Sequence, residues 1–256
     1  MAIDKISGKA YTAIDEFSGV ATSGIDKISG IDGAATADII QNGLILHLDA
    51  GNTNSFNSAA AGSTWYDLTS NNNDFTFVNT ESGDWSSDKG GIINFDGSNE
   101  KATSSSFVFP AQTSTSSFTI SLWLNIPSSG AGFYDVLFGN RYGGQSSPLR
   151  FMKVTPAGFE YYNGGNMTQY WPRNSWINIT VVKNGSAFSM YQNASQTDTR
   201  SSTQSMPTNP VGIAGDPDRS TTENPAVSYS VIAVYNRALS STEITSNYNT
   251  LAGRYV

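Results

Sequence analysis

The sequence is poor in the residues that most catalytic and metal sites use. It has no cysteine and only one histidine, His47, among its 256 residues. Disulfides, thiolate metal sites and cysteine nucleophiles are therefore excluded, and no pair of histidines is available for catalysis or metal binding. His47 alternates with leucines in a predicted strand, so we expect a packed or surface side chain and not a general base.

Charge is also scarce. Asp, Glu, Lys and Arg make up 14% of the residues, with a net charge of −7, whereas an average soluble domain has roughly 25% charged residues. The chain lacks the basic surface that phosphate-backbone binding requires, so no nucleic-acid partner is expected. The longest uncharged run contains too many polar residues to span a membrane. The first residues lack both the basic and the apolar region of a signal peptide.

A short repeat occupies the first part of the chain. The segments Ile3–Gly8, Ile14–Gly19 and Ile25–Gly30 share one pattern at a spacing of 11 residues. Glycine in every copy disfavours a coiled coil, and the pattern predicts three strand-turn units that need a partner to bury their apolar residues. A flexible linker with accidental similarity is the alternative. We assign residues 1–42 to an attachment or oligomerisation arm with its connection, anchored by Ile3, Ile6, Ile14, Phe17, Ile25 and Ile28.

From Gly43 onwards the pattern changes to strands separated by polar, glycine-containing loops. Residues 118–125 alternate strictly between apolar and mostly polar positions, and Asn184-Gly185 predicts a hairpin with a type I′ turn. Ser240 and Glu243 have the spacing of a capping box, which predicts a short C-terminal helix. We therefore predict an all-β fold over residues 43–256: two antiparallel sheets packed as a jelly-roll sandwich, with that helix after them.

Six ordered motifs stand in this second part: Gly43–Gly51, Trp65–Asn73, Phe95–Gly97, Phe118–Trp123, Val234–Ser240 and Asn247–Asn249. Together they resemble the concanavalin A-like lectin/glucanase superfamily, and its laminin G-like (LamG) branch in particular. The resemblance is specific for the fold, but this fold is shared by lectins, pentraxins, adhesion modules and glucanases. LamG-like modules are common in surface proteins and in tailed-phage virion proteins, and the repeats resemble those that open structural proteins of marine tailed phages.

The two resemblances together imply a bacteriophage virion structural protein, a capsid decoration or a fibre. Such a protein is assembled in the host cytoplasm without a signal peptide and displays its lectin-like domain for glycan or surface adhesion. We expect other virion proteins as partners through residues 1–42, and a homo-oligomer, with a trimer as one option. A bacterial surface adhesin, a carbohydrate-binding module and a purely structural brace without glycan affinity stay open as alternatives.

The acidic residues do not form the pattern of a glycosidase. Glucanases of the superfamily carry a Glu-x-Asp-x-Glu strand that sets two carboxylates on one face, about 5–5.5 Å apart for retaining chemistry. Here the acids are dispersed, and the tightest group, Asp216, Asp218 and Glu223, lies in a predicted loop. We expect a protein without enzymatic activity.

The resemblance also implies a calcium site. LamG-like domains often bind Ca²⁺ in a loop that resembles residues 67–74, together with an acid near the first strand. The implied ligands are Asp49, Asp67, Asn71 and Asn73. Ser70, Asn72 and Phe75 stand where the family pattern has glycines, so the alternative is an asparagine-rich turn held by hydrogen bonds between side chains and backbone.

Aromatic and amide residues in two loops are candidates for glycan binding, since sugars are held by aromatic platforms beside planar polar groups. The alternative is that these segments are hairpins whose aromatic side chains pack on the sheet. The predicted ligand-binding residues are Asn163, Asn166, Gln169, Tyr170, Trp171 and Arg173 in one segment, with Arg141 and Tyr142 in the other.

Overall fold

The computed structural model describes residues 16–17, 20–21, 38–57, 63–109, 112–128, 135–140, 150–155, 158–162, 166–169, 172–203, 208–218 and 223–256. The chain divides into two compact units, Met1–Ile39 and Ile40–Val256. Most of the predicted arm, including Ile3, Ile6, Ile14, Ile25 and Ile28, lies outside the described residues, so its role stays a prediction.

One strand pair is described in the first unit. Glu16–Phe17 (β1) pairs antiparallel with Val20–Ala21 (β2), with Phe17 opposite Val20. The two strands stand on either side of Ser18 and Gly19, which end the second copy of the repeat. A strand pair at this place is what the strand-turn interpretation predicts for that copy.

The second unit is built from short strands and one helix. The strands are Leu44–Asp49 (β3), Thr64–Trp65 (β4), Phe75–Val78 (β5), Trp85–Ser86 (β6), Ile92–Asp96 (β7), Lys101–Phe109 (β8), Ser117–Asn125 (β9), Asp135–Asn140 (β10), Arg150–Thr155 (β11), Gly158–Tyr162 (β12), Asn166–Gln169 (β13), Trp176–Asn184 (β14), Ala187–Gln192 (β15), Ser195–Ser201 (β16), Asn209–Ile213 (β17) and Ala226–Tyr235 (β18). A 3-10 turn covers Asp88–Gly90, and the helix is Ser241–Ala252 (α1).

These strands form two antiparallel sheets. The first sheet has the order β13-β12-β11-β10-β17-β8-β5-β4, and the second has the order β16-β15-β14-β9-β18-β7-β6, with β3 paired to β18. The neighbours β10 to β13 are consecutive hairpins, whereas β17 inserts between β10 and β8 from far along the chain. The predicted all-β sandwich with a short C-terminal helix is confirmed.

The core lies between the sheets and follows the alternation of the strands. In β9, Phe118, Ile120, Leu122 and Leu124 are buried in one apolar cluster, which also contains Ile177, Ile179 and Val181 of the paired strand β14. The first sheet contributes Phe138, Met152, Val154, Phe159 and Tyr161 from the opposite side. Because side chains alternate between faces, every second residue of β9, β14, β11 and β12 points away from the core.

The outer face of the second sheet is covered by α1 and the residues that follow it. Trp123 stacks on Tyr248 and Tyr255, with ring centroids 5.4 and 4.0 Å apart. Arg254 makes two hydrogen bonds to the buried carboxylate of Asp49, at 2.9 and 2.8 Å. Among the described residues, no helix combines the length and the apolar character needed to cross a membrane.

The turn of the β14–β15 hairpin lies one residue later than predicted. Asn184 pairs with Ala187, so the loop residues are Gly185 and Ser186. Of these two, only Gly185 has a positive φ, +60°, which fits a type II′ turn and not the predicted type I′ turn. The buried side chain of Lys183 explains the shift, because its Nζ donates to the carbonyls of Thr113, Ser116 and Gly185 and holds the turn in place.

The capping box at the start of α1 is confirmed. The Ser240 hydroxyl accepts a hydrogen bond from the Glu243 N–H, and the Glu243 carboxylate accepts one from the Ser240 N–H. Arg237 donates two further bonds to this carboxylate, and the pKa of Glu243 falls to about 2 as a result.

Replacing the cap residue is expected to weaken the whole second unit, because α1 packs on the second sheet. Ser240→Ala should lower the free energy of unfolding by about 1 kcal/mol, a typical cost of losing an N-cap. Ser241→Ala, one residue further on and also exposed, should change it by less than half as much. Urea unfolding of both variants checks this prediction, and equal effects would contradict it.

Candidate functional site

The strand register brings two predicted ligand segments to one end of the first sheet. Asn140, the last residue of β10, is opposite Arg150, and Phe151 is opposite Tyr162, the last residue of β12. Tyr162 in turn is opposite Asn166, the first residue of β13. The loop after Asn140 and the loop before Asn166 therefore start from the same sheet end, although Asn163, Arg141 and Tyr142 themselves lie outside the described residues.

The register also separates residues that the sequence analysis grouped together. Gln169 is opposite Phe159, three residues along β12 from Tyr162, which corresponds to about 10 Å along the strand. Tyr170 and Trp171 lie outside the described residues, and Arg173 precedes β14 of the second sheet. The prediction of one continuous ligand segment from Asn163 to Arg173 therefore conflicts with the strand register, because the strand β13 carries the chain away from the loop.

An ion pair lies on the outer face of the first sheet. Met152 and Val154 of β11 and Phe159 and Tyr161 of β12 point into the core, so Lys153 and Glu160 between them point outward. Their side chains meet across the strands at 2.8 Å, with 8% and 13% of their side-chain surface exposed. This neighbourhood is polar but largely shielded from water.

The segment 214–218 folds back over the same outer face. A side chain at Gly212 of β17 would stand 2.1 Å from the Gly215 carbonyl oxygen, so only glycine allows this close approach. Lys101 of β8 donates from Nζ to the Asp216 carbonyl at 2.8 Å, and Asn140 donates from Nδ2 to Asp218 Oδ2 at 3.0 Å. Asn140 and Lys101 thus fix an exposed aspartate, Asp218, beside the loop-bearing end of the sheet.

The backbone of Glu100 is connected to this segment through the side chain of Asn224. Its carbonyl accepts a hydrogen bond from Asn224 Nδ2, which also donates to the Ala214 carbonyl. Burial raises the pKa of Glu100 to about 7, with the neighbouring charges of Asp84 and Asp96 adding to the rise and a hydrogen bond from the Asp96 N–H opposing it. Burial also lowers the pKa of Lys101, and the nearby Asp216 and Asp218 act in the opposite direction.

Sequence reasoning missed Lys101 and Lys153. Each is a single cation at a strand position that faces away from the core, and Lys153 stands between Met152 and Val154 in the sequence. That alternation was the available signal, because it puts the lysine on the outer face of the sheet. Which acidic residue it meets depends on cross-strand register, which the sequence alone does not give.

Comparison with known families agrees with the fold. A laminin G-type family model, described as the concanavalin A-like lectin/glucanases superfamily, matches residues 96–245. The chain belongs to this superfamily. The matched region runs from the end of β7 into α1, so it includes the loop-bearing end of the first sheet. A search of curated protein sequences finds no match.

Several solved structures resemble the chain in fold at low sequence identity. The binding domain of botulinum neurotoxin serotype D has a TM-score of 0.57 and 12% identity, over 81% of this chain and 52% of that one. A Trypanosoma rangeli sialidase variant with trans-sialidase activity scores 0.60 at 17% identity, over 86% and 35%. The binding domain of Paraclostridial Mosquitocidal Protein 1 scores 0.55 at 15%, over 82% and 52%. The chain thus spans about half or one third of these proteins, and the likeness shows the fold.

The residues implied as calcium ligands can be tested for their fit. Asp49 is bound by Arg254, so the cation beside this carboxylate is a guanidinium. Both oxygens of Asp67 accept hydrogen bonds, and Asn71 and Asn73 turn their Nδ2 groups to the Ile45 carbonyl. A calcium ion needs roughly six to eight oxygen ligands, and these four residues do not fit that requirement as they are arranged. Calcium binding stays a prediction that a metal titration must test.

The raised pKa of Glu100 makes the stability of the sandwich depend on pH. The folded protein keeps the Glu100 proton up to about pH 7, whereas an unfolded glutamate, with a pKa near 4.5, releases it earlier. This group should therefore reduce stability as pH rises from about 4.5 to 7. Glu100→Gln should remove that decline and stabilise the protein at pH 8 relative to the unmodified chain.

Urea unfolding between pH 4.5 and 8 measures this effect. Glu81→Gln is the matched control, because Glu81 is an exposed glutamate in the adjacent loop. A pH profile of Glu100→Gln that parallels those of the control and the unmodified chain would contradict the assignment.

Proposed function

We propose that the protein is a non-enzymatic, glycan-binding component of a bacteriophage virion. In this proposal the sandwich binds surface glycans at the loop-bearing end of the first sheet, and residues 1–42 attach it to other virion proteins. The observation that carries the binding site is the register that brings the ends of β10, β11, β12 and β13 together, beside Asp218.

Three features support glycan binding at this place. Asn166 and Asp218 supply amide and carboxylate groups of the kind that hold sugar hydroxyls, and Tyr142, one of the predicted aromatic ligands, follows Asn140 by two residues in the sequence. Asp218 is exposed beside this end of the sheet, so its carboxylate is open to a ligand. Among structures of the same fold are toxin binding domains and a sialidase in complex with sialic acid.

The absence of catalysis is part of the proposal. Glu160 is a glutamate on the outer face of the first sheet, and it is held in an ion pair with Lys153. Retaining hydrolysis needs two carboxyl groups that flank the scissile bond, one as nucleophile and one as acid. An ion-paired glutamate suits the binding of a polar ligand better than proton donation to a leaving group.

The virion role rests on the repeat and on the resemblance of both parts of the chain to tailed-phage proteins. Units of six residues with two apolar positions are too small to fold alone, so an assembly that surrounds them is expected. A homo-oligomer formed through the arm, attached to a capsid or tail, satisfies that need.

A glycan array with the full chain tests the binding site. We expect binding to at least one glycan, and a dissociation constant about tenfold higher in Asn166→Ala and in Asp218→Ala, because each substitution removes polar contacts to the sugar. Asn99→Ala, an exposed asparagine in the β7–β8 turn, is the control and should bind normally. Sugar release from the bound glycan, or equal binding by all variants, would contradict the proposal.

Deletion of residues 1–37, which keeps the whole second unit from Ile40 onwards, tests the attachment. We expect the shortened chain to fold and to bind the same glycans but not to enter virus particles, as judged by particle composition. Incorporation equal to that of the full chain would contradict the anchoring role. Particles that lose stability without the protein, combined with an array that shows no binding, would favour a structural brace.

A further inference from the structure

The loop of residues 67–74, here called the Asp67 loop, joins β4 to β5 and lies along β3. We infer that this loop is organised by the Asp67 carboxylate in place of a metal ion, and that its function is to close the free edge of β3. The superfamily resemblance implies calcium at this position, and the role of the loop does not depend on glycan binding.

β3 has one paired edge and one edge that needs partners. Its residues pair with β18 on one side. On the other side the His47 N–H donates to Asp67 Oδ1 at 2.9 Å, and the His47 carbonyl accepts from the Leu68 N–H at 2.8 Å. The Ile45 carbonyl accepts from Asn73 Nδ2 at 2.8 Å. The Asp67 loop therefore satisfies backbone groups that an open sheet edge would leave exposed to pairing with other chains.

The Asp67 carboxylate is saturated with hydrogen bonds. Oδ1 accepts from His47 N and from Thr69 N at 3.0 Å, while Oδ2 accepts from Thr69 Oγ1 at 2.7 Å and from Asn73 N at 3.0 Å. An ionised carboxylate has about four lone-pair sites, so these four donors fill them. The side chain is also buried, with the residue 8% exposed.

Calcium would have to compete with this network. A metal ion at Asp67 would displace donors from the carboxylate and leave partly buried N–H groups of His47 or Asn73 without these partners, which is costly. The loop is also closed on itself, because the Asp67 N–H donates to Asp74 Oδ1 at 2.8 Å. The hydrogen bonds thus do what coordination bonds would otherwise do: they hold the two ends of the loop together.

The departures from the family pattern agree with this interpretation. Asn72 has a φ of +52°, so it takes a left-handed conformation that glycine would otherwise occupy. Phe75 begins β5 and is fully buried in the core, where it packs beside Phe107. Because Phe75 is buried, the end of the loop lies against the core.

Thermal unfolding of the full chain with and without calcium tests the inference. We expect the same melting temperature, within about 1 °C, in EDTA and in calcium at millimolar concentration. A site present at 100 times its dissociation constant would instead shift the folding equilibrium about 100-fold and raise the melting temperature by several degrees. Such a rise, lost in Asp67→Asn, would overturn the inference.

The carboxylate itself is tested by substitution. Asp67→Asn turns an NH₂ group toward two of the four donors, so the melting temperature should fall by several degrees, equally in EDTA and in calcium. Asp88→Asn, an exposed aspartate in the 3-10 turn, is the matched control and should melt normally. If Asp67→Asn does not fold, Thr69→Val, which removes one donor to the carboxylate, should give a smaller fall that is also independent of calcium. An Asp67→Asn or Thr69→Val protein that melts like the unmodified chain would contradict the role of the carboxylate.

Discussion

The burial of apolar side chains between two sheets is the constraint on which the other features of this protein depend. Leu122 of β9 and Ile179 of β14 occupy the core because their strands alternate, and Met152 of β11 does so from the opposite sheet. The same alternation forces Lys153 and Glu160 outward, where they neutralise each other. Polar chemistry on the outer face is therefore a consequence of how the core is packed.

The two outer faces are used in different ways. The second sheet is covered by α1, whose Tyr248 stacks on Trp123, and by the ion pair of Arg254 with Asp49. The first sheet has the segment 214–218 on its outer face, held by Lys101 and Asn140. Both faces are therefore partly covered by the chain itself, and on the first sheet the exposed carboxylate of Asp218 lies beside the loop-bearing end.

Local signals in the sequence predicted local structure well. The capping box at Ser240, the alternating strand of residues 118–125 and the family motifs lead to the observed sandwich, because each depends on neighbours in the sequence. The turn after Asn184 was predicted one residue early, since the buried Lys183 that fixes it is held by the distant Thr113 and Ser116. The Lys153–Glu160 pair and the place of Gln169 depend on strand register, which only tertiary packing determines.

The central claim is that glycans bind at the loop-bearing end of the first sheet. Backbone amide NMR of the full chain, titrated with the best glycan from an array, tests it most directly because it reports every face at once. The account predicts that the largest shift changes fall at Asn140, Asn166 and Asp218, with little change in the Asp67 loop or in α1. Shift changes concentrated in the Asp67 loop or in α1, with none at the ends of β10 and β13, would contradict it.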